Sequence, residues 1–269
     1  MQDTLTGIPE TMLIPLWARA VETGKPHPII RDEKAVEMVS RIAYDFSVFE
    51  KSWMSQVGVS VRTMLLDNAT RDFIARHPGA VIVNIGAGLD TRVERMKNEN
   101  ITFWYDLDVQ ESIGMRRQFF TEGKRNGFLA ASAFDHDWMD RIDAHDKPVL
   151  FICEGLFMYI DERHLRPLFR RLAQRFPGSE MLFDMLPPFL VGKGKHHDAI
   201  NKLGTLSDFK WGLKRSRDIE SWSPELTFIE EWDYYDYFKD RWRWWGYIGR
   251  CPGLRPYLSN RIVHFGFAA

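Results

Sequence analysis

The sequence predicts an α/β fold in which a mostly parallel sheet carries helices on both faces. Two observations point to it. Short, near-continuous apolar runs at 81–85, 101–107, 128–134, 149–153 and 181–185 alternate with helical patterns, as strands buried on both sides require. The first run closes in Gly86-Ala87-Gly88 and passes into a short helical pattern. Strand, glycines and helix in that order let an open α/β sheet bring its backbone close to a nucleotide-like ligand.

The chain up to residue 78 reads as helical, first through Pro15, Leu16, Trp17 and Ala18. A second helix is expected over about 60–76, with Val61, Leu65, Ala69, Phe73 and Ile74 on one face. His77-Pro78-Gly79 ends it before the first strand. Helical patterns at 110–122 and 162–176 separate later strands, and two late strand candidates, 226–232 and 261–267, are expected to pair antiparallel at one edge. The polar, glycine-containing stretch between Pro187 and Pro224 breaks the alternation and reads as an insertion beside the carboxyl edge of the sheet, where such folds keep their ligands. The expected organisation is one domain over 1–269: an N-terminal helical cap (1–78), a cofactor-binding core (79–186), a substrate-side insertion (187–224) and a C-terminal sheet edge (225–269).

Bulk properties narrow the function classes. A net charge of −1 over 269 residues gives no whole-chain reason to expect nucleic acid or an anionic membrane as partner. No basic-then-apolar leader and no apolar stretch of bilayer length is visible, so a cytoplasmic location is expected. The two cysteines, Cys153 and Cys251, cannot build a disulfide framework. The oligomeric state stays open, a homodimer included.

The glycine turn carries the chemistry. The run at 101–107 leads into Asp108, and an acidic residue at the tip of a second strand suits ribose hydroxyls. After Gly88 the chain reads Leu89-Asp90-Thr91, so the third glycine of a dinucleotide fingerprint is missing and Asp90 stands where a phosphate would bind. Both features disfavour NAD or FAD. S-adenosylmethionine has ribose and adenine without phosphate, and fits better.

Asn84-Ile85-Gly86-Ala87-Gly88-Leu89-Asp90-Thr91-Arg92, Tyr105-Asp106-Leu107-Asp108-Val109 and Glu154-Gly155-Leu156-Phe157-Met158-Tyr159-Ile160 occur in that order. With Ile14-Pro15-Leu16-Trp17-Ala18-Arg19-Ala20, Asp45-Phe46 and Phe209-Lys210-Trp211-Gly212, this pattern resembles the leucine carboxyl methyltransferase family, in its tetracenomycin polyketide O-methylase branch. The resemblance implies a class I methyltransferase (Rossmann-like) fold with a seven-stranded sheet, its N-terminal helices and insertion forming a lid, and S-adenosyl-L-methionine as cofactor. It also implies that Arg62 pairs with the cofactor carboxylate, Gly86 approaches its methionine part, Asp108 holds the ribose, Glu154 faces it across the cleft and Tyr159 lies near the acceptor. The family's Asp-Leu adenine contact is replaced by Ala131-Ser132-Ala133-Phe134-Asp135, leaving Ser132 or Asp135 for that role.

Each candidate has a plainer explanation. Gly86 and Gly88 could simply make a tight turn, Asp108 could cap the following helix, and Asp106 rivals it because strand alternation puts both carboxylates on one side. Arg62 could be a solvated helix charge. Glu154 stands out unaided, because a carboxylate directly after an apolar strand is costly unless paired or at a ligand. In Lys195-His196-His197-Asp198, His196 and His197 are candidate general bases or parts of a surface loop. Asp135-His136-Asp137 lacks the second ligand group a metal would need. Nine aromatic residues between Trp232 and Tyr247 suit sheet-edge packing, a lid over an aromatic acceptor or a subunit interface.

The expected function is S-adenosylmethionine-dependent methyl transfer to a hydroxyl or carboxyl oxygen of a small aromatic or polyketide-like acceptor. The alternatives are a non-catalytic binder of the same cofactor and a nicotinamide oxidoreductase.

Overall fold

In the computed structural model, which describes residues 10–194, 197–203 and 208–268, one seven-stranded sheet organises the chain. Strands β1 (Ala80–Ile85), β2 (Ile101–Asp108), β3 (Asn126–Ala130), β4 (Val149–Cys153) and β5 (Glu180–Met185) are parallel. At one edge β7 (Arg261–Phe267) lies antiparallel between β5 and β6 (Leu226–Asp233). The order across the sheet is β3-β2-β1-β4-β5-β7-β6. This is the expected mostly parallel α/β class with an antiparallel edge.

Burial explains the central strands. All six residues of β1 are buried. Val81, Val83 and Ile85 face Leu165, Leu168, Phe169 and Leu172 of α6 (Glu162–Arg175), while Ala80 and Ile82 face Val61, Leu65 and Phe73 of α3 (Trp53–Arg76). Each such aliphatic side chain contributes about 1.5–3 kcal/mol on burial, so the near-continuous apolar run specifies a two-sided position.

A third apolar cluster lies over the carboxyl ends of the strands. There Leu13, Leu16 and Trp17 of α1 (Leu13–Thr23) and Met38 of α2 (Glu33–Arg41) meet Met158, Leu186, Ile200 and Phe209. The N-terminal helices and the insertion thus close over the end of the sheet where the glycine turn lies.

Three elements have a boundary more than two residues from expectation. Helix α3 starts at Trp53 rather than near residue 60, because its first turns bury Ser55 and Gln56 beside Val57 and Val59, which erases the apolar periodicity there. Helix α5 (Gln110–Arg116) stops short of residue 122: the Arg116 side chain turns beneath the sheet end, and Glu122 Oε1 accepts from the Phe128 amide at 2.8 Å. Strand β3 covers Asn126–Ala130 rather than 128–134, because Ser132 and Asp135 offer the backbone a local alternative. The Phe134 amide donates to Ser132 Oγ (3.2 Å) and the Ser132 amide to Asp135 Oδ2 (3.1 Å).

Candidate active site

The carboxyl ends of β1, β2 and β4 open into a cavity of about 1140 Å³. Its floor is the glycine turn. The amides of Gly86 and Ala87 donate to the Leu107 carbonyl (2.8 and 3.1 Å), which ties the turn to the end of β2. Gly86 and Gly88 have φ of +70° and +43°, a region that L side chains rarely adopt. A Cβ there would also stand 2.9 Å from Leu156 Cδ2 and Met12 Sδ respectively. Close approach and backbone conformation both call for glycine.

The two acids of β2 have different surroundings. Asp108 lines the cavity; its Oδ2 accepts from the Gly88 amide and its Oδ1 from the Val109 amide, both at 2.7 Å. Burial raises its pKa against those two hydrogen bonds. Asp106 is fully buried and absent from the cavity lining. Its Oδ2 accepts from Arg116 Nε (3.0 Å) and Nη2 (2.7 Å), its Oδ1 from Asn84 Nδ2 (3.0 Å) and Trp104 Nε1 (2.9 Å). Arg116 Nη1 in turn donates to the carbonyls of Gly88 (3.2 Å) and Asp90 (2.6 Å). Asp106 therefore braces the underside of the turn, and Asp108 alone of the two meets the cavity.

Glu154 follows β4 at the opposite wall. Its Oε1 accepts from Arg62 Nε at 2.9 Å and its Oε2 from Arg92 Nη2 at 2.6 Å. Burial alone would raise its pKa, but the two guanidinium charges outweigh that and hold the carboxyl below its ordinary value. Arg62 Nη1 reaches Asp184 Oδ2 at 3.0 Å, and Nη2 has no partner among the described residues. Burial raises the Asp184 carboxyl despite Arg62, while its Oδ1 accepts from the Gly155 amide at 2.8 Å.

These groups end a longer buried chain of ion pairs. Arg92 and Arg95 sit on the single turn α4 (Arg92–Arg95): Arg92 also meets Asp67 (2.7 Å) and Asp90 (2.6 Å), Arg95 meets Asp67 (2.6 Å) and Asp32 (2.9 Å), and Asp32 meets Arg19 (2.8 Å). Asp90 is held well below the ordinary carboxylate range because Arg92 and Arg95 overcome its burial. The chain fastens α1 and the start of α2 to the glycine turn and to the ends of β4 and β5. Arg92, Arg95 and Asp184 had no role assigned from sequence. Asp184 carried the same signal as Glu154, an acid in an apolar strand.

Farther out the cavity becomes aromatic. The Tyr159 and His197 rings lie 5.6 and 5.7 Å from the Phe209 ring. The amides of Lys210 and Trp211 donate to the Met158 carbonyl (2.7 and 3.2 Å), which fixes Phe209 beside Tyr159. Burial pushes the Tyr159 hydroxyl up to about 12, so it remains a donor. Burial lowers the His197 pKa against the charge of Asp198. His197 Nδ1 lies 3.4 Å from the amides of Ala199 and Ile200, so the neutral ring carries its proton on Nε2. Tyr234, Tyr235, Trp242 and Trp245 also line the cavity, which assigns the inner half of the aromatic segment to its wall.

The structure thus brings Arg62, Gly86, Gly88, Asp108, Glu154, Tyr159 and His197 to one cavity. Ser132 and Asp135 hydrogen-bond to each other away from its lining, and His196 lies outside the described residues. A nucleoside with an amino-acid arm and no phosphate fits this set: Asp108 offers acceptors at the turn, Arg62 Nη2 is open, and the acidic Asp90 opposes a phosphate.

Residues 12–173 match the family model described as leucine carboxyl methyltransferase. The chain is 33% identical over 232 residues to the tetracenomycin polyketide synthesis O-methyltransferase TcmP of Streptomyces glaucescens, covering 86% of this chain and 85% of that one. It is 32% identical over 249 residues to an S-adenosyl-L-methionine-dependent methyltransferase, dpfgK, of Gibberella zeae, covering 84% and 82%. Among solved structures, the fold is similar to a DUF574 family protein from Streptomyces avermitilis, with a TM-score of 0.55, 12% identity and coverage of 94% and 96%. The chain belongs to the leucine carboxyl methyltransferase family and is an S-adenosylmethionine-dependent methyltransferase.

Proposed function

We propose that this enzyme methylates an oxygen of a small, apolar, aromatic or polyketide-like acceptor, with a carboxylate favoured over a phenol. The observation that supports this reading is one continuous cavity joining the glycine turn to the aromatic wall. Its volume of about 1140 Å³ exceeds the roughly 300–1,000 Å³ of a single-ligand site, which leaves room for cofactor and acceptor together.

When bound, the cofactor supplies a methyl group on a positive sulfur. Asp108 would accept from the ribose hydroxyls. Arg62, through Nη2, would take the amino-acid carboxylate, and Glu154 would face the ammonium with the acceptor site left over by the two arginines and the Thr63 hydroxyl. Gly86 and Gly88 would let the ligand lie against the backbone. The N-terminal residues Met12 and Pro15 and the insertion residues Phe209 and Ile200 would act as the lid, excluding water so that alignment lowers the barrier.

Tyr159 and His197 would orient the acceptor oxygen. Both offer N–H or O–H donors at neutral pH, which suits an oxygen that arrives as an anion. A carboxylate does so and needs no base, whereas a phenol would need the lone pair that His197 Nδ1 directs at backbone amides. The test is methyl transfer from S-adenosylmethionine to paired aromatic acids and phenols of matched ring size, followed by mass spectrometry. Methyl esters from the acids are expected. Methylation of the phenols alone would overturn the carboxylate preference, and no transfer to either would overturn the aromatic-acceptor reading.

A further inference from the structure

We propose that the outer face of residues 239–257 is a peripheral docking surface for an anionic lipid bilayer, beside the mouth through which an apolar acceptor enters. The short helices α7 (Trp245–Gly249) and α8 (Arg255–Leu258) are two-sided. Trp245, Ile248 and Leu258 line the cavity. On the other side Trp244, Tyr247, Leu254 and Tyr257 are 57%, 76%, 46% and 44% exposed, and Trp244 stacks on Trp245 at 4.2 Å. Phe189, 52% exposed, belongs to a turn packed against α8 and also lines the cavity, so the outer patch is continuous with its rim. A cluster of exposed large aromatics of this kind marks an interaction surface.

Charge selects the partner. In the segment 239–257 Arg241 is paired with Glu22, and Arg255 with Asp233 and Asp236, but Lys239, Arg243 and Arg250 make no ion pair among the described residues and face the single acid Asp240, in a chain whose net charge is −1. The whole-chain balance therefore conceals a basic patch. Lys193 lies over the Phe189 ring at 3.4 Å, Lys214 over Tyr257 at 4.5 Å and Arg250 over Tyr247 at 5.3 Å. None of these three makes an ion pair among the described residues. Tryptophan and tyrosine beside lysine and arginine are the side chains that settle at a membrane–water interface, and basic residues add attraction to anionic headgroups. A second copy across a two-fold axis would set the same unpaired cations against each other. A single nucleic-acid strand calls for rings along a groove that tracks phosphates, whereas here Leu254, Phe189 and Ile248 lead into an apolar cavity. Among the described residues no helix is long and apolar enough to cross a membrane, and the docking proposed is superficial.

The test is flotation of the full chain with phosphatidylcholine vesicles, with and without phosphatidylglycerol, read together with tryptophan emission. Binding at least about tenfold tighter to the anionic vesicles, weakened by salt and accompanied by a blue shift, is expected. Trp244→Ser combined with Tyr247→Ser should weaken that binding about tenfold or more, and Lys214→Glu should weaken it separately. In both variants the rise in melting temperature caused by S-adenosylhomocysteine should match the parent's, which separates this proposal from the cofactor assignment. No binding to anionic vesicles, equal binding to both compositions, unchanged binding by the double variant, a dimer that covers the face, or tighter binding to a single-stranded RNA would each overturn it.

Discussion

Replacing Glu154 with glutamine removes the carboxylate shared by two buried arginines while keeping nearly the same shape. The side chain is 7% exposed, and its oxygens stand 2.9 Å from Arg62 Nε and 2.6 Å from Arg92 Nη2. Removing one partner of a buried ion pair costs about 3–5 kcal/mol. Arg92 keeps Asp67 and Asp90, and Arg62 keeps Asp184, so the low end applies: about 3 kcal/mol. At roughly 2–4 °C per kcal/mol for a chain of this size, the melting temperature should fall by about 6–12 °C. The variant should also lose a charged contact to the cofactor ammonium worth about 1.5–3 kcal/mol, or roughly 10- to 150-fold in affinity. Denaturant melts followed by circular dichroism report the first quantity, and calorimetric titration with S-adenosylhomocysteine reports the second. A folded Glu154→Gln protein with parental affinity would refute the cofactor contact. Parental stability would refute the claim that the two arginines depend on this carboxylate.

Three further outcomes are expected. Asp108→Asn should weaken cofactor binding about tenfold or more with little change in stability, whereas Asp106→Asn should destabilise the protein by about 3 kcal/mol or more because Arg116 is fully buried; titration and melts on both variants separate the two acids. Tyr159→Phe should lower kcat/KM about tenfold, the value of one hydrogen bond near 1.4 kcal/mol, with S-adenosylhomocysteine affinity unchanged in a parallel titration. Glu180, held by Arg76 at 2.8 Å and by His264 at 2.6 Å, has its carboxyl lowered from 4.5 to about 2, as these partners overcome burial. A folded pKa below the unfolded one stabilises above the unfolded value, so about 3 kcal/mol should be lost as pH falls from about 4.5 towards 2. Denaturant melts across that range should show a loss for Glu180→Gln smaller than the parent's by about that amount, the remainder coming from other carboxylates held low, such as Asp90 and Glu154.

Particular residues show what could be read from the chain. Strands β4 and β7 have the expected bounds, because apolar runs ending at turn residues leave little freedom of register. The glycine turn, Asp108 and Glu154 were equally legible, being local: a strand, a turn and an acid at its tip. Ion pairs such as Arg62 with Asp184 or Arg95 with Asp32 join residues from separate elements, and no periodicity records them. Asp106 and Asp108 share a strand face, so alternation could not choose between them; the choice came from Arg116, which occupies Asp106. In the same way the density of aromatics before Tyr247 was plain, but the division into a cavity wall and an exposed face required the helices to be folded.

The most direct measurement is a crystal structure of the protein grown with S-adenosylhomocysteine. The ribose hydroxyls should be found on the Asp108 carboxylate, with the amino-acid arm between Arg62 and Glu154 and the sulfur directed towards Tyr159. A nucleoside bound elsewhere, or a cavity closed by Met12 and Leu156 with no ligand in it, would contradict the assignment.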